Sequence, residues 1–155
     1  EKQLRELRMA NVFTSSVIPA PAADIWEKIR GFNDLPRWHP VVATSRILDE
    51  MRQDQIGCVR DFRLQNGDQI TEKLVGLSDY DMTVTYIILE SPMPLTHYVA
   101  TLRLTPITDS NATFAEWSAE FDCDVADEEE LVTGIGNDVF QAGFDALKRH
   151  FGGAS

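Results

Sequence analysis

One stretch limits what this chain can fold into more than any other: Gly57 to Leu64, a turn at Gln65-Asn66-Gly67, then Asp68 to Gly76. Both arms alternate. Cys58, Phe62 and Leu64 share a face with Arg60 among them, while Ile70 and Leu74 share a face with Glu72 between them. The apolar phase of a hairpin therefore aims one cation and one carboxylate inward. Burying a lone charge costs several kcal/mol, as a rough figure, and opposite charges on adjacent arms relieve that cost. A two-residue Asn66-Gly67 turn would set Arg60 opposite Lys73 and mix the faces. A three-residue loop, with Gly67 left-handed in a bulge, sets Arg60 opposite Glu72 and Leu64 opposite Asp68. A one-residue slip turns every side chain over, so the alternation predicts the second register.

The rest of the chain supplies more strands and a helix to cover them. Asn11 to Ile18 reads as a strand. Pro19 to Asp24 breaks it and starts a short helix through Ile25-Trp26-Glu27-Lys28-Ile29, and a second short turn begins at Asn33 and stops at Pro36 and Pro40. Strands follow at Val41 to Leu48, in the two hairpin arms, and at Met82 to Leu89. Ser91 to His97 reads as a loop, because each proline lacks a donor. Tyr98 to Leu104 and Ala112 to Phe121 are further strands, the last placing Thr113, Ala115, Trp117, Ala119 and Phe121 on one face. Leu131, Ile135, Val139, Gly143 and Leu147 fall four apart, predicting one long helix to about Phe151, closed by Gly152-Gly153. The acids from Asp122 to Glu130 suit its N-terminus; the functional alternative is a divalent-cation site. The expected class is α+β: a curved antiparallel sheet of seven strands around one long C-terminal helix, two short helices after the first strand, and an internal cavity between sheet and helix.

Composition narrows the function classes. A chain of 155 residues forms one domain with a sizeable core. Its net charge of −11, from 25 acidic against 14 basic residues, argues against nucleic acid and anionic membranes. No apolar run approaches the roughly 20 residues of a membrane span. No signal-peptide pattern stands at the N-terminus. Cys58 and Cys123 make no disulfide framework, so free thiols in a reducing, cytoplasmic compartment are expected. Residues 1–10 read as an N-terminal extension, a short helix or an expression-tag remnant, and residues 11–151 as the single domain.

The element order, with Trp38-His39-Pro40, Gly57-Cys58-Val59-Arg60, Glu72-Lys73-Leu74 and the Tyr98 strand, resembles the START-like helix-grip (SRPBCC) superfamily. That group includes birch-pollen-allergen-like proteins, abscisic acid receptors and the polyketide cyclase/dehydrase family. Within it the chain is similar to the lachrymatory factor synthases, which have an Arg after a Gly-Cys-x stretch and a Glu opening Glu-Lys-Leu. The resemblance implies a catalytic role for Arg60 and Glu72. The abscisic acid receptors' Gly-Leu-Pro-Ala gate and His-Arg-Leu latch are replaced by Gln65-Asn66-Gly67 and Met93-Pro94-Leu95, which disfavours a hormone-gated receptor.

Two uses of the inward pair stay open: an ion pair that fixes strand register, or a ligand-facing site in which Arg60 binds a polar oxygen and Glu72 shuttles a proton. Tyr86, Tyr98 and Trp117 face inward as core aromatics or as ligand-binding residues. Phe62, Leu74, Trp38, Met93, Leu95, Ile135 and Val139 complete the expected lining. His39 reads as a packing or capping residue, and His97 as a surface residue or one at the cavity mouth. No spacing suits a metal, and no cofactor motif is present. The expected partner is a small hydrophobic ligand, with a homodimer left open. The chain is then either a cofactor-free cyclase, dehydratase or isomerase, or a non-catalytic carrier of an apolar ligand or lipid. A subunit offering its pocket rim to a protein partner is a further option.

Overall fold

The alternating segments become strands in the computed structural model, which describes residues 6–152. The order is β1 (Leu7–Ile18), α1 (Ala22–Ile29), α2 (Leu35–Trp38), β2 (Val42–Ile47), β3 (Val59–Leu64), β4 (Gln69–Ser78), β5 (Thr83–Glu90), β6 (Leu95–Ile107) and β7 (Ala112–Asp124). A C-terminal helix follows in three sections: α3 (Glu128–Gly134), a π-helical stretch (Ile135–Gln141) and α4 (Ala142–Phe151). The seven strands form one sheet in the order β1-β7-β6-β5-β4-β3-β2, every pair antiparallel. This is the expected helix-grip arrangement, with β1 and β2 as the edges.

The hairpin takes the bulged register. Arg60 pairs with Glu72 and Phe62 with Ile70. The Leu64 N–H donates to the Asp68 carbonyl at 2.9 Å, and Gly67 carries φ +97°, a conformation that favours glycine. The inward face of β7 is buried throughout, from Thr113 to Phe121 and on to Cys123. Both cysteines are free and buried. Among the described residues no helix is long and apolar enough to cross a membrane.

Four local expectations are corrected. β1 starts at Leu7, not Asn11: Leu7 to Ala10 pair with Asp124 to Phe121, so this part of the supposed extension is strand. Residues 1–5, including Leu4, and Gly153 lie outside the described residues. Pro36 opens α2 rather than stopping it, because a first-turn N–H needs no intrahelical acceptor. β6 starts at Leu95, not Tyr98. Leu95 pairs with Cys123 directly after Pro94, and a register shift between Thr96 and Val99, with His97 at φ 56°, restores the alternation. The long helix contains a π section in place of uniform α geometry. Its buried set is Leu131, Ile135, Phe140, Gly143, Phe144 and Leu147. The step of five from Ile135 to Phe140 is the wider π turn, which takes Val139 off the buried stripe.

Helix and sheet meet most tightly at Gly143. A Cβ there would stand 2.9 Å from Trp117 Cζ3 and 3.0 Å from His39 Cδ2. The missing side chain lets the helix rest on these rings. Trp117 stacks on Phe140 with centroids 4.6 Å apart and also touches Phe144, Trp38 and His39.

Candidate functional site

Arg60 and Glu72 form a buried couple, each 6% exposed. Arg60 Nε and one terminal nitrogen both donate to Glu72 Oε1, at 2.9 and 2.6 Å. The other terminal nitrogen donates to the Phe32 carbonyl at 2.9 Å. The guanidinium lies 3.9 Å from the Phe32 ring centroid and 4.9 Å from that of Tyr86. Arg60 is thus engaged within the protein, and its geometry is that of a group holding Glu72 in place. These bonds use three of the five guanidinium N–H groups, and Arg60 also lines the pocket that Glu72 faces.

Among the described residues Glu72 Oε2 accepts no hydrogen bond, yet it is not one of the fully enclosed, unpartnered side-chain atoms. It faces a pocket of about 420 Å³ that Glu72 lines. Burial pushes the Glu72 carboxyl above its usual range, and Arg60 draws it part of the way back. A bulge in the β4–β5 ladder falls between Thr71 and Glu72, where the side chain is aimed.

Beside the couple lie two tyrosines. Trp117 Nε1 donates to the Tyr86 hydroxyl at 3.0 Å, leaving that hydroxyl's own proton for another acceptor. The Tyr98 hydroxyl sits close enough to perturb Tyr86. Burial and the nearby Glu72 carboxylate raise both phenols, so both stay protonated donors at neutral pH.

Of the residues expected around the pocket, Arg60, Glu72, Tyr86, Tyr98, Trp117 and Phe62 line it from the sheet, with Met93 from the β5–β6 connection and Ile135 and Val139 from the helix. Leu74, Trp38 and Leu95 do not. The pocket runs from the hairpin loop along Ile70 to the Arg60–Glu72 couple, its floor. Leu74 is one pleat beyond that floor and fully buried in the core. Trp38 lies behind the couple, lining a void of about 20 Å³ with Phe32 and Val84, and its Nε1 finds no partner among the described residues. Leu95 pairs with β7 before the bulge that brings Tyr98 inward.

His39 packs, as expected, and does more. Its Nε2 donates to the Val139 carbonyl in the π section at 2.6 Å, and its Nδ1 accepts from the Val41 N–H at 3.3 Å. Both contacts fit the neutral Nε2–H form, and burial lowers its pKa to about 4. His97 is exposed and bonds Asp122 at 3.0 Å. The Asp124 carboxylate accepts from the Ala126 N–H, a capping contact. Among the described residues no cluster of three or more His, Cys, Asp or Glu could hold a metal ion.

Sequence reasoning missed Gly134, Asp138, Glu130 and Asp68, which also line the pocket. A signal existed. Leu131, Gly134, Ile135 and Asp138 follow the three-and-four spacing of one helix face, so Asp138 stands out as an acid on an apolar stripe.

A model of the family described as polyketide cyclase / dehydrase and lipid transport matches residues 9–152. Among curated proteins none matches the chain. Protein XoxI from Bacillus cereus is 31% identical, with a TM-score of 0.81 over 92% of this chain and 95% of its own. A protein from Thermobifida fusca is 30% identical, with a TM-score of 0.83 over 92% of this chain and 93% of its own. Norcoclaurine synthase from Thalictrum flavum, solved with dopamine and hydroxybenzaldehyde, is 18% identical, with a TM-score of 0.73 over 93% of this chain and 87% of its own; it shares the fold.

Proposed function

The chain belongs to the polyketide cyclase/dehydrase and lipid transport family, and from that premise we propose that it takes a small hydrophobic molecule into its pocket and transforms it by cofactor-free acid–base chemistry at Glu72. The observation that carries this reading is the division of labour within one carboxylate. Oε1 takes both Arg60 donors, while Oε2 stands unpartnered toward an apolar pocket. A carboxylate that only fixed strand register would have no use for an oxygen left open to a cavity.

In this reading Oε2 takes a proton from the guest and returns it to a neighbouring atom, as an isomerase, cyclase or dehydratase requires. A raised carboxyl pKa strengthens Glu72 as a base. The Tyr86 and Tyr98 hydroxyls donate to the oxygen on which charge develops. Arg60 is a positioning residue that keeps Glu72 ionised and oriented.

Native mass spectrometry of the purified protein identifies a co-purified guest, which is then incubated with wild type and Glu72→Gln. The substitution keeps the shape and removes the proton acceptor. Turnover is expected to fall about 10²- to 10⁴-fold while binding persists. A guest that wild type holds but never transforms overturns the catalytic reading. It favours instead a carrier, a role that the self-contained Arg60–Glu72 couple also suits.

A further inference from the structure

The charges around the pocket are one-sided. Its exposed lining residues, which form the mouth, are Gln65, Asn66, Asp68, Pro92, Glu130 and Asp138. Asp68 stands at the hairpin loop, while Glu130 and Asp138 stand on the C-terminal helix. Among the described residues none of these three carboxylates has a salt-bridge partner. Among the described residues no lysine lines the pocket, and the one arginine, Arg60, is engaged with Glu72 and Phe32 at the floor. His39, the remaining basic group, is kept neutral by burial, with its Nδ1 accepting from the Val41 N–H. Below the mouth, Glu72 adds a carboxylate oxygen without a partner among the described residues, from a side chain that is 8% exposed. The rim acids thus stand over a cavity that already presents an unengaged buried acceptor.

We infer that the pocket selects hydrophobic molecules bearing an amine, whose apolar body fills the cavity while the ammonium rests at the mouth among Asp68, Glu130 and Asp138. The inference rests on the reading of the pocket as a guest site and adds the guest's charge class. A carboxylate or phosphate head group would meet three like charges there and, among the described lining residues, no cation at the mouth. The mouth is wet, so its preference acts through a screened field. It is therefore strongest at low ionic strength and fades as the Debye length shrinks.

The test uses three probes of matched shape: 4-phenylbutylamine, 4-phenylbutanol and 4-phenylbutyrate. Each is titrated into the intact protein by tryptophan fluorescence and calorimetry, at about 20 mM and about 500 mM salt. The amine is expected to bind about tenfold more tightly than the carboxylate at low salt, with the alcohol between them and the spread collapsing at high salt. In the combined variant Asp68→Asn, Glu130→Gln, Asp138→Asn the amine-to-alcohol affinity ratio falls toward one. Equal binding of all three probes, or a preference that the triple variant keeps, overturns the inference and leaves the guest site standing. Failure of every probe, the neutral alcohol included, removes the guest site and the inference with it.

Discussion

The C-terminal helix meets the sheet in two places, and two of its glycines mark the difference. At Gly143 an added Cβ would collide with Trp117 and His39, and the interior is solid with rings. At Gly134, on the same helix, an added Cβ would meet nothing within 4 Å, because that glycine looks into the pocket. Both regions present apolar side chains, but they differ in filling and in polarity: rings close the space under Gly143, while Gly134 borders a cavity whose rim carries Asp68, Glu130 and Asp138. Between the two glycines lies the π section, whose Val139 carbonyl is tied to His39. Hydrophobic patterning decides which faces turn inward; it leaves open whether the inward faces touch.

The largest effect is expected at Arg60. Arg60→Leu leaves Glu72 buried without its partner and is expected to cost about 3–5 kcal/mol of unfolding free energy in denaturant titrations at neutral pH. The deficit should shrink toward acid pH, where the raised Glu72 carboxyl takes up a proton and its buried charge disappears. A deficit that does not change with pH would mean that Glu72 is not the group left stranded.

The solid side has its own pH signature. His39 is neutral in the folded chain with a pKa of about 4, against 6.5 for a free histidine. The unfolded chain binds the extra proton between these values. Stability from this group is therefore present above pH 6.5 and lost as pH falls toward 4, by roughly 3 kcal/mol in all. His39→Gln should flatten that part of the stability–pH curve, although Glu72 titrates with the opposite sign across an overlapping range. A curve with the same slope in both proteins would refute the assignment.

The glycines give the smallest and most direct contrast. Gly143→Ala overpacks the ring cluster and should lower stability by about 1–3 kcal/mol. Gly134→Ala enters open space and should raise stability by up to about 1 kcal/mol through helix propensity. Thermal melts of the pair that shift in the same direction would erase the distinction between the two regions.

Much of the fold was legible because its strands alternate cleanly. The hairpin register followed from one conflict, since a two-residue turn would have mixed its faces, and the inward row of β7 was readable from Thr113 to Phe121. The bulge near His97 and the π turn were not legible. Each inserts a local change of period that no propensity announces, and each moves a residue: Leu95 away from the pocket, Phe140 into the stripe in place of Val139. Within the candidate site, the meeting of Arg60 with Glu72 followed from the alternation. That Arg60 would spend its donors on Glu72 and Phe32 did not, because Phe32 arrives from the α1–α2 connection, far away in sequence.

The Arg60–Glu72 couple balances its own charge, so this part of the interior holds no unpaired formal charge whether or not anything occupies the cavity. Folding then places no demand on the identity of an occupant. Lining residues such as Ile70, Met93 and Ile135 can be exchanged over generations without first rebuilding the scaffold. A lineage built on this plan is expected to drift in chemistry faster than in architecture.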